Sequence, residues 1–159
     1  MRQPSTQFTR DVLGRIAQKT ETIQGQTATY SYTYDPAGRL GEVRKDGLIV
    51  SQYQYDANSN RLTKTDASGS VTGIYDAQDR LLQYATTTYT YTANGELQSK
   101  TQGGLTTTYQ YDVLGNLMAI TLPNGTQMEY LVDGRNRRIG KKVNGVLMQG
   151  FLYQDRLKL

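Results

Sequence analysis

The stretch Tyr32-Thr33-Tyr34-Asp35-Pro36-Ala37-Gly38-Arg39-Leu40 decides the fold. Tyr32 and Tyr34 are two residues apart, so in an extended chain they share one face. Aromatic and β-branched residues favour that extended chain. Asp35 is a turn former whose carboxylate can accept a hydrogen bond from the backbone two residues on. Pro36 presets the φ of the next turn position. Gly38 supplies a positive φ, giving a hairpin with a glycine bulge. Arg39-Leu40 then begins a second strand.

The phrase returns. Variants begin at Phe8, Tyr53, Ile74, Tyr89, Tyr109 and Tyr130, and the Asp slot falls at Asp11, Asp35, Asp56, Asp76, Thr92, Asp112 and Asp133. By subtraction the gaps are 24, 21, 20, 16, 20 and 21 residues. A period of about 20 marks a repeat architecture in which each unit is one supersecondary element. Such stacks build surfaces more readily than single catalytic pockets. The paired tyrosines recur as Tyr53 and Tyr55, Tyr89 and Tyr91, and Tyr109 and Tyr111, with Tyr130 opening a further copy. The turn glycine recurs at Gly95 and Gly115. The second strand starts at Arg39-Leu40, Arg61-Leu62, Arg80-Leu81 and Asn116-Leu117, and its far end meets another turn signal: Asp46-Gly47, Ser68-Gly69, Gly103-Gly104, Asn124-Gly125 or Asn144-Gly145. The chain thus predicts hairpin after hairpin with two alternating kinds of turn.

Leu40 and Val43, Leu81 and Tyr84, and Leu117 and Ile120 are three apart, which a plain strand would put on opposite faces. Either a bulge intervenes or both faces are partly buried. The copies at Asp56 and Asp133 read as carrying one extra residue before Leu62 and Ile139, which predicts local bulges there. Side-by-side hairpins are expected to bring Tyr next to Tyr across the sheet, each such pair contributing roughly 0.2–1 kcal/mol. Tyr111, with repeats on both sides, is expected to be more buried than Tyr30, which stands outside the repeat.

Composition agrees with a half-wet sheet. Thirteen tyrosines accompany two phenylalanines and no tryptophan, and the hydrophobic fraction is 36%, below the usual ~45–50%. The absence of cysteine removes disulfide and thiolate chemistry, and the absence of histidine removes the commonest general base and transition-metal ligand. No apolar run approaches the ~18 residues of a membrane span, and no signal-peptide pattern opens the chain. The net charge is +4. Its densest basic cluster, Arg135, Arg137, Arg138, Lys141 and Lys142, reads as a solvated face, and nucleic acid is not the expected partner.

Tyr-Asp-x-x-Gly-Arg-Leu at this period resembles the YD repeat of the Rhs family: bacterial Rhs polymorphic toxins, the B and C components of insecticidal toxin complexes, and teneurins. Tyr34-Asp35 to Leu40, Tyr55-Asp56 to Leu62 and Tyr111-Asp112 to Leu117 carry the resemblance. So do Tyr130 to Gly145 and Gly150 to Asp155, which look like bacterial Rhs sequence. The resemblance covers nearly the whole chain. It implies an all-β fold of consecutive antiparallel hairpins forming one curved, spiralling sheet, part of a shell that encloses a C-terminal toxin segment. The partners implied are the rest of that shell and its cargo. The setting implied is secreted or on the bacterial cell surface, in interbacterial competition or against insect hosts. At about 4.8 Å per strand, the strands of seven repeats make under half a turn of such a shell. The chain, residues 1–159, is therefore expected to be one repeat region from a larger shell, with its two edges free for self-association.

The periodic aspartates could serve as paired carboxylates for glycoside hydrolysis or as calcium ligands. Regular spacing instead places them along a rim, each in a turn. Asp56-Ala57-Asn58-Ser59-Asn60 starts like a calcium loop but lacks the later Glu. The tyrosine ladder could stack on sugar rings, making a carbohydrate-binding or adhesion module the alternative function. Cross-strand packing is the plainer reading. The repeated Arg could bind sulfate or phosphate, or partner the turn Asp. No nucleophile–base pair is visible, so no enzyme, catalytic residue, metal site or cofactor is expected. Tyr32, Tyr34, Asp35, Gly38, Arg39, Leu40, Tyr53, Tyr55, Asp56, Asp76, Tyr89, Tyr91, Gly95, Tyr109, Tyr111, Asp112, Gly115, Tyr130 and Asp133 are expected to be structural repeat positions.

Overall fold

The computed structural model describes residues 3–153. The chain divides into two compact units, Met1–Asp79 and Arg80–Leu159. The first holds β1 (Ser5–Arg10), β2 (Ile16–Ile23), β3 (Gln26–Tyr34), β4 (Leu40–Lys45), β5 (Leu48–Tyr55), β6 (Arg61–Asp66) and β7 (Gly69–Tyr75). The second holds β8 (Leu81–Tyr84), β9 (Thr87–Tyr91), β10 (Leu97–Gln102), β11 (Leu105–Tyr111), β12 (Leu117–Thr121), β13 (Gln127–Val132), β14 (Arg138–Val143) and β15 (Val146–Gly150). Within each unit the strand order is the sequence order and neighbours are antiparallel. No helix occurs among the described residues. The expected all-β run of consecutive antiparallel hairpins is what the chain adopts. The last strand, expected near Phe151 to Leu159, lies partly outside the described residues; β15 precedes it.

Two kinds of turn alternate. Along one rim, the Asp-slot N–H donates to the carbonyl four residues on, and the residue after next but one closes back on the Asp carbonyl. Asp35 N donates to Arg39 O at 2.8 Å and Gly38 N to Asp35 O at 2.9 Å. The third residue after the slot has positive φ in every copy: Gly14, Gly38, Ser59, Asp79, Gly95, Gly115 and Asn136. Conformation is kept where the residue is not, because Asn and Asp tolerate the left-handed region better than most. Along the other rim lie two-residue turns such as Asp46-Gly47 (φ 49° and 84°) and Asn144-Gly145 (φ 48° and 79°), the primed type that suits tight hairpins. One turn breaks the alternation. Asn124-Gly125 belongs to a wide turn, with Leu122 N donating to Thr126 O and Gly125 N to Leu122 O, both at 2.9 Å.

The three-residue spacing resolves into a bulge in the copies whose pairing is defined. Tyr34 faces Leu40, Thr33 faces Glu42 and Tyr32 faces Val43, so Gly41 is the unmatched residue. Leu40 and Val43 therefore share the tyrosine face. Gln98 and Met118 are unmatched in the same way. The local bulges expected in the Asp56 and Asp133 copies are present, while the turns themselves carry no extra residue. Tyr55 faces Arg61 and Val132 faces Arg138, so these arginines occupy the Leu40 position. Leu62 and Ile139 are themselves the unmatched residues, each six after its aspartate.

Among the described residues no hydrophobic side chain is fully buried. The two faces differ instead in chemistry. On one, Tyr109 faces Ile120, which faces Met128, which faces Val143. On the other, Thr90 faces Ser99, then Thr108, then Thr121. Hydroxyl pairs such as Thr90 with Ser99 (2.7 Å) and Thr101 with Thr106 (2.9 Å) link strands on this polar face. Tyrosines do not oppose tyrosines. Each hairpin interposes its own second strand, so Tyr32 meets Val43 and Tyr53 meets Lys64. Tyr30 and Tyr111 are both half-buried; Tyr30 lies under Lys19 and Lys45, at 4.4 and 5.8 Å.

Candidate functional site: the repeat interlock

The predicted repeat residues converge on one device, built again at successive repeats. Its first part is the turn carboxylate. Asp35 Oδ1 accepts the Arg39 N–H at 2.9 Å, and Oδ2 accepts Arg39 Nε at 2.7 Å. Asp11 holds Arg15 and Asp133 holds Arg137 in the same way. Asp56 and Asp112 hold Asn60 and Asn116 instead. Backbone donation from Arg39 is the main influence holding the Asp35 carboxyl below its ordinary value, against the opposing effect of burial. For Asp133 the leading influence is the Arg137 side chain, and for Asp56 and Asp112 it is the asparagine side chain. At Asp11 burial is the largest influence and pushes upward, yet the bonds from Arg15 and Leu13 together with the Arg15 charge leave the carboxyl lowered.

Held this way, each guanidinium lies over the second tyrosine of the next repeat. Arg15 sits 4.4 Å from the Tyr34 ring centre, Arg39 4.7 Å from Tyr55, Arg80 5.2 Å from Tyr91, and Arg137 4.9 Å from Tyr153. Such contacts contribute about 0.5–1 kcal/mol at exposed sites. The tyrosine at this position donates its hydroxyl backwards to the carbonyl that opens the preceding repeat's second strand, which leads into the bulge wherever the pairing is defined. Tyr34 donates to Ile16 O (2.8 Å), Tyr55 to Leu40 O (3.0 Å), Tyr75 to Arg61 O (3.2 Å), Tyr91 to Leu81 O (2.8 Å) and Tyr153 to Arg138 O (2.7 Å). A bulge disrupts the ladder locally, and the tyrosine uses the carbonyl beside it. Bulge and tyrosine are thus two halves of one joint.

The rim is stitched as well. Arg39 Nη1 reaches Asp56 O at 2.6 Å, and Asn60 Nδ2 reaches Asp79 Oδ1 at 2.6 Å. Asn116 bonds Asn136 in the equivalent place. On the opposite rim Thr29 N donates to Asp46 Oδ1 and Gln127 N to Asn144 Oδ1.

Some predicted positions depart from this pattern. Gly73, not Ile74, takes the first aromatic position in the Asp76 copy; Ile74 is half exposed on the other face. A Cβ on Gly73 would meet Arg61 O at 2.9 Å and the Tyr75 ring at 3.0 Å. Thr92 pairs with Glu96, and no hydroxyl bond ties Tyr111 to the preceding repeat among the described residues. Burial, with the neighbouring Tyr109 and Glu96, raises the Tyr111 phenol. Val132 stands where the copies at Asp35, Asp56, Asp76, Thr92 and Asp112 have tyrosine, as Arg10 does in the Asp11 copy. Tyr153 extends the pattern to an eighth position that the seven-copy reading missed, 21 residues after Val132. Its signal was present in Phe151-Leu152-Tyr153, which matches Tyr32-Thr33-Tyr34.

The device is a fastening. The aspartates are engaged in turns, and no group of three His, Cys, Asp or Glu converges among the described residues. No helix there is long and apolar enough to cross a membrane.

Known proteins resemble this chain in sequence and fold. The teneurin YD-shell family model matches residues 1–158. Teneurin-4 of Mus musculus is 29% identical over 150 residues, covering 91% of this chain and 5% of that protein. The tRNA3(Ser)-specific nuclease WapA of Bacillus spizizenii is 33% identical over 115 residues, covering 65% of this chain and 5% of that protein. Among solved structures, TcdB2-TccC3-Cdc42 superposes with a TM-score of 0.66 at 16% identity, covering 92% of this chain and 9% of that one. The Photorhabdus luminescens Tc holotoxin pore gives 0.64, also at 16% identity, covering 87% and 9%. At such identities the structural likeness concerns the fold. The chain spans about a twentieth of the length of the curated relatives it matches. With the family's repeat running through nearly every residue and its interlock rebuilt from strand to strand, this chain belongs to the teneurin YD-shell family.

Proposed function

We propose that this chain is a wall segment of an Rhs-type shell that encloses a toxin segment of its own polypeptide, in a secreted or surface-exposed bacterial protein acting on competitor or host cells. The observation that supports this most is the interlock. It is rebuilt at five successive-repeat junctions and gathers no cluster of catalytic or metal-binding groups among the described residues, as a wall built by repetition requires. The role is containment, without catalysis. A nuclease by name, WapA, carries a matching segment within a much longer protein, as a carrier wall would. The chain's unpaired edges would self-associate when isolated, because exposed strand edges template pairing. Against the glycan-binding alternative stands the occupation of the tyrosine faces by Arg15, Arg39, Arg80 and Arg137.

The test is protease digestion of the whole gene product that carries this segment. The expected result is a C-terminal segment that resists cleavage until the wall is opened by replacing Tyr34, Tyr55 and Tyr91 together with alanine. Digestion as fast as a free peptide in the unaltered protein would refute the shell reading.

A further inference from the structure

At five junctions a tyrosine hydroxyl reaches back to the carbonyl that opens the second strand of the preceding repeat at 2.7–3.2 Å, and at four of them that carbonyl leads into a bulge. At the junction between the Asp112 and Asp133 copies the corresponding residue is Val132, facing Arg138 across the ladder. Valine has neither the ring nor the hydroxyl. A cavity of about 370 Å³ opens at this place, lined by Leu117, Val132, Arg138, Phe151 and Tyr153, with Asn116 at its margin. The bulge and the carbonyl that leads into it are there. Leu117 is five residues after Asp112, as Leu40 is after Asp35, so its carbonyl leads into the bulge at Met118. Asn116, in the arginine position, is held by Asp112 and Asn136 and leaves the ring's place uncovered.

We propose that this cavity is a binding site for a tyrosine side chain presented by another polypeptide. The five sister junctions define the chemistry of the occupant: an aromatic ring to lie against Leu117, Val132 and Phe151 and beside the Arg138 side chain, and a phenol hydroxyl to donate to the Leu117 carbonyl. They also suggest its presentation, since at four of the five the ring comes from the last residue of a strand. This inference needs only the geometry of one junction and holds whether or not the chain is a shell wall.

The experiment is a titration of the 159-residue chain with the capped peptides Gly-Gly-Tyr-Gly-Gly and Gly-Gly-Phe-Gly-Gly, followed by amide NMR shifts. The expected result is saturable shifts centred on Leu117, Val132 and Phe151. The phenylalanine peptide should bind about fivefold more weakly, the ratio set by one net hydrogen bond. Val132→Tyr should supply the ring in cis, abolish peptide binding and raise the melting temperature. Val132→Phe, which fills the space without the hydroxyl, should also abolish binding while raising the melting temperature less. Absence of saturable shifts, shifts centred elsewhere, equal affinity for the two peptides, or undiminished binding to a folded Val132→Tyr chain would each overturn the assignment.

Discussion

Tyr55→Phe isolates the hydroxyl half of the joint. The ring stays, and Arg39 can still lie over it at about its present 4.7 Å. What goes is the 3.0 Å bond to Leu40 O. A net hydrogen bond contributes about 0.5–1.5 kcal/mol, and this part-buried one should contribute about 1 kcal/mol. In a domain of this size that lowers the melting temperature by about 2–4 °C. Tyr55→Ala also removes the ring. Full burial of a large aromatic is worth about 3–5 kcal/mol, so a half-buried ring contributes about 2 kcal/mol. Adding the hydroxyl and a cation–π contact of about 0.5–1 kcal/mol gives about 3.5–4 kcal/mol. The control is Tyr111→Phe. Tyr111 has the same place in its repeat but no backward hydroxyl bond among the described residues, so its loss should stay within about 0.5 kcal/mol. Urea unfolding at constant m would measure all three. If Tyr55→Phe and Tyr111→Phe prove equal, the hydroxyl-to-bulge bond is not what joins repeats.

Three further outcomes follow from other parts of the structure. Asp35→Asn should lower the urea midpoint at pH 7, with the gap to the parent closing in acid. The folded carboxyl lies below its ordinary 3.8, so its contribution is complete above that value and is lost as pH falls through the folded one; a gap unchanged at pH 2 would refute this. Gly73→Ala places a Cβ 2.9 Å from Arg61 O and should cost about 1–3 kcal/mol by overpacking, whereas a neutral result in urea unfolding would mean that strands β6 and β7 part freely. The outer strand β15 is exposed along its length, with Val146, Leu147 and Met148 at 62, 59 and 64%. Light scattering should show concentration-dependent association that Leu147→Lys reduces, and a strictly monomeric parent would count against an open edge.

Local chemistry was legible in the sequence, and chemistry between repeats was not. Tyr-x-Tyr-Asp and the left-handed turn residue act within a few positions of one another, so hairpins and both turn kinds could be read directly. The frame slipped at Asp56 and Asp133 because Arg61-Leu62 and Arg138-Ile139 imitate Arg39-Leu40 as text. The turn counts from its aspartate instead. Asp56 N bonds Asn60 O and Asp133 N bonds Arg137 O, the same four-residue closure as Asp35 with Arg39. Counting forward from Asp would have placed Arg61 and Arg138 opposite the tyrosine position. Leu122 escaped notice because it has no carboxylate, although Pro123 and Gly125 stand where Pro36 and Gly38 do.

The interlock joins residues of successive repeats, such as Tyr55 with Leu40 or Arg39 with Tyr55, so the phrase of a single copy does not contain both partners. Its necessity can still be argued from the bulge. An unmatched residue at a fixed distance from each turn leaves a displaced carbonyl at a fixed place on the same face. A wall with no dry core has to satisfy such groups by hydrogen bonding. A long donor with an apolar body, set on the next strand, meets that need while its ring covers part of the same face. Tyrosine is the side chain that combines those properties, which accounts for tyrosine and not phenylalanine at Tyr34, Tyr55, Tyr75, Tyr91 and Tyr153. A phenylalanine ladder would cover the same surface and leave the bulge carbonyls to water.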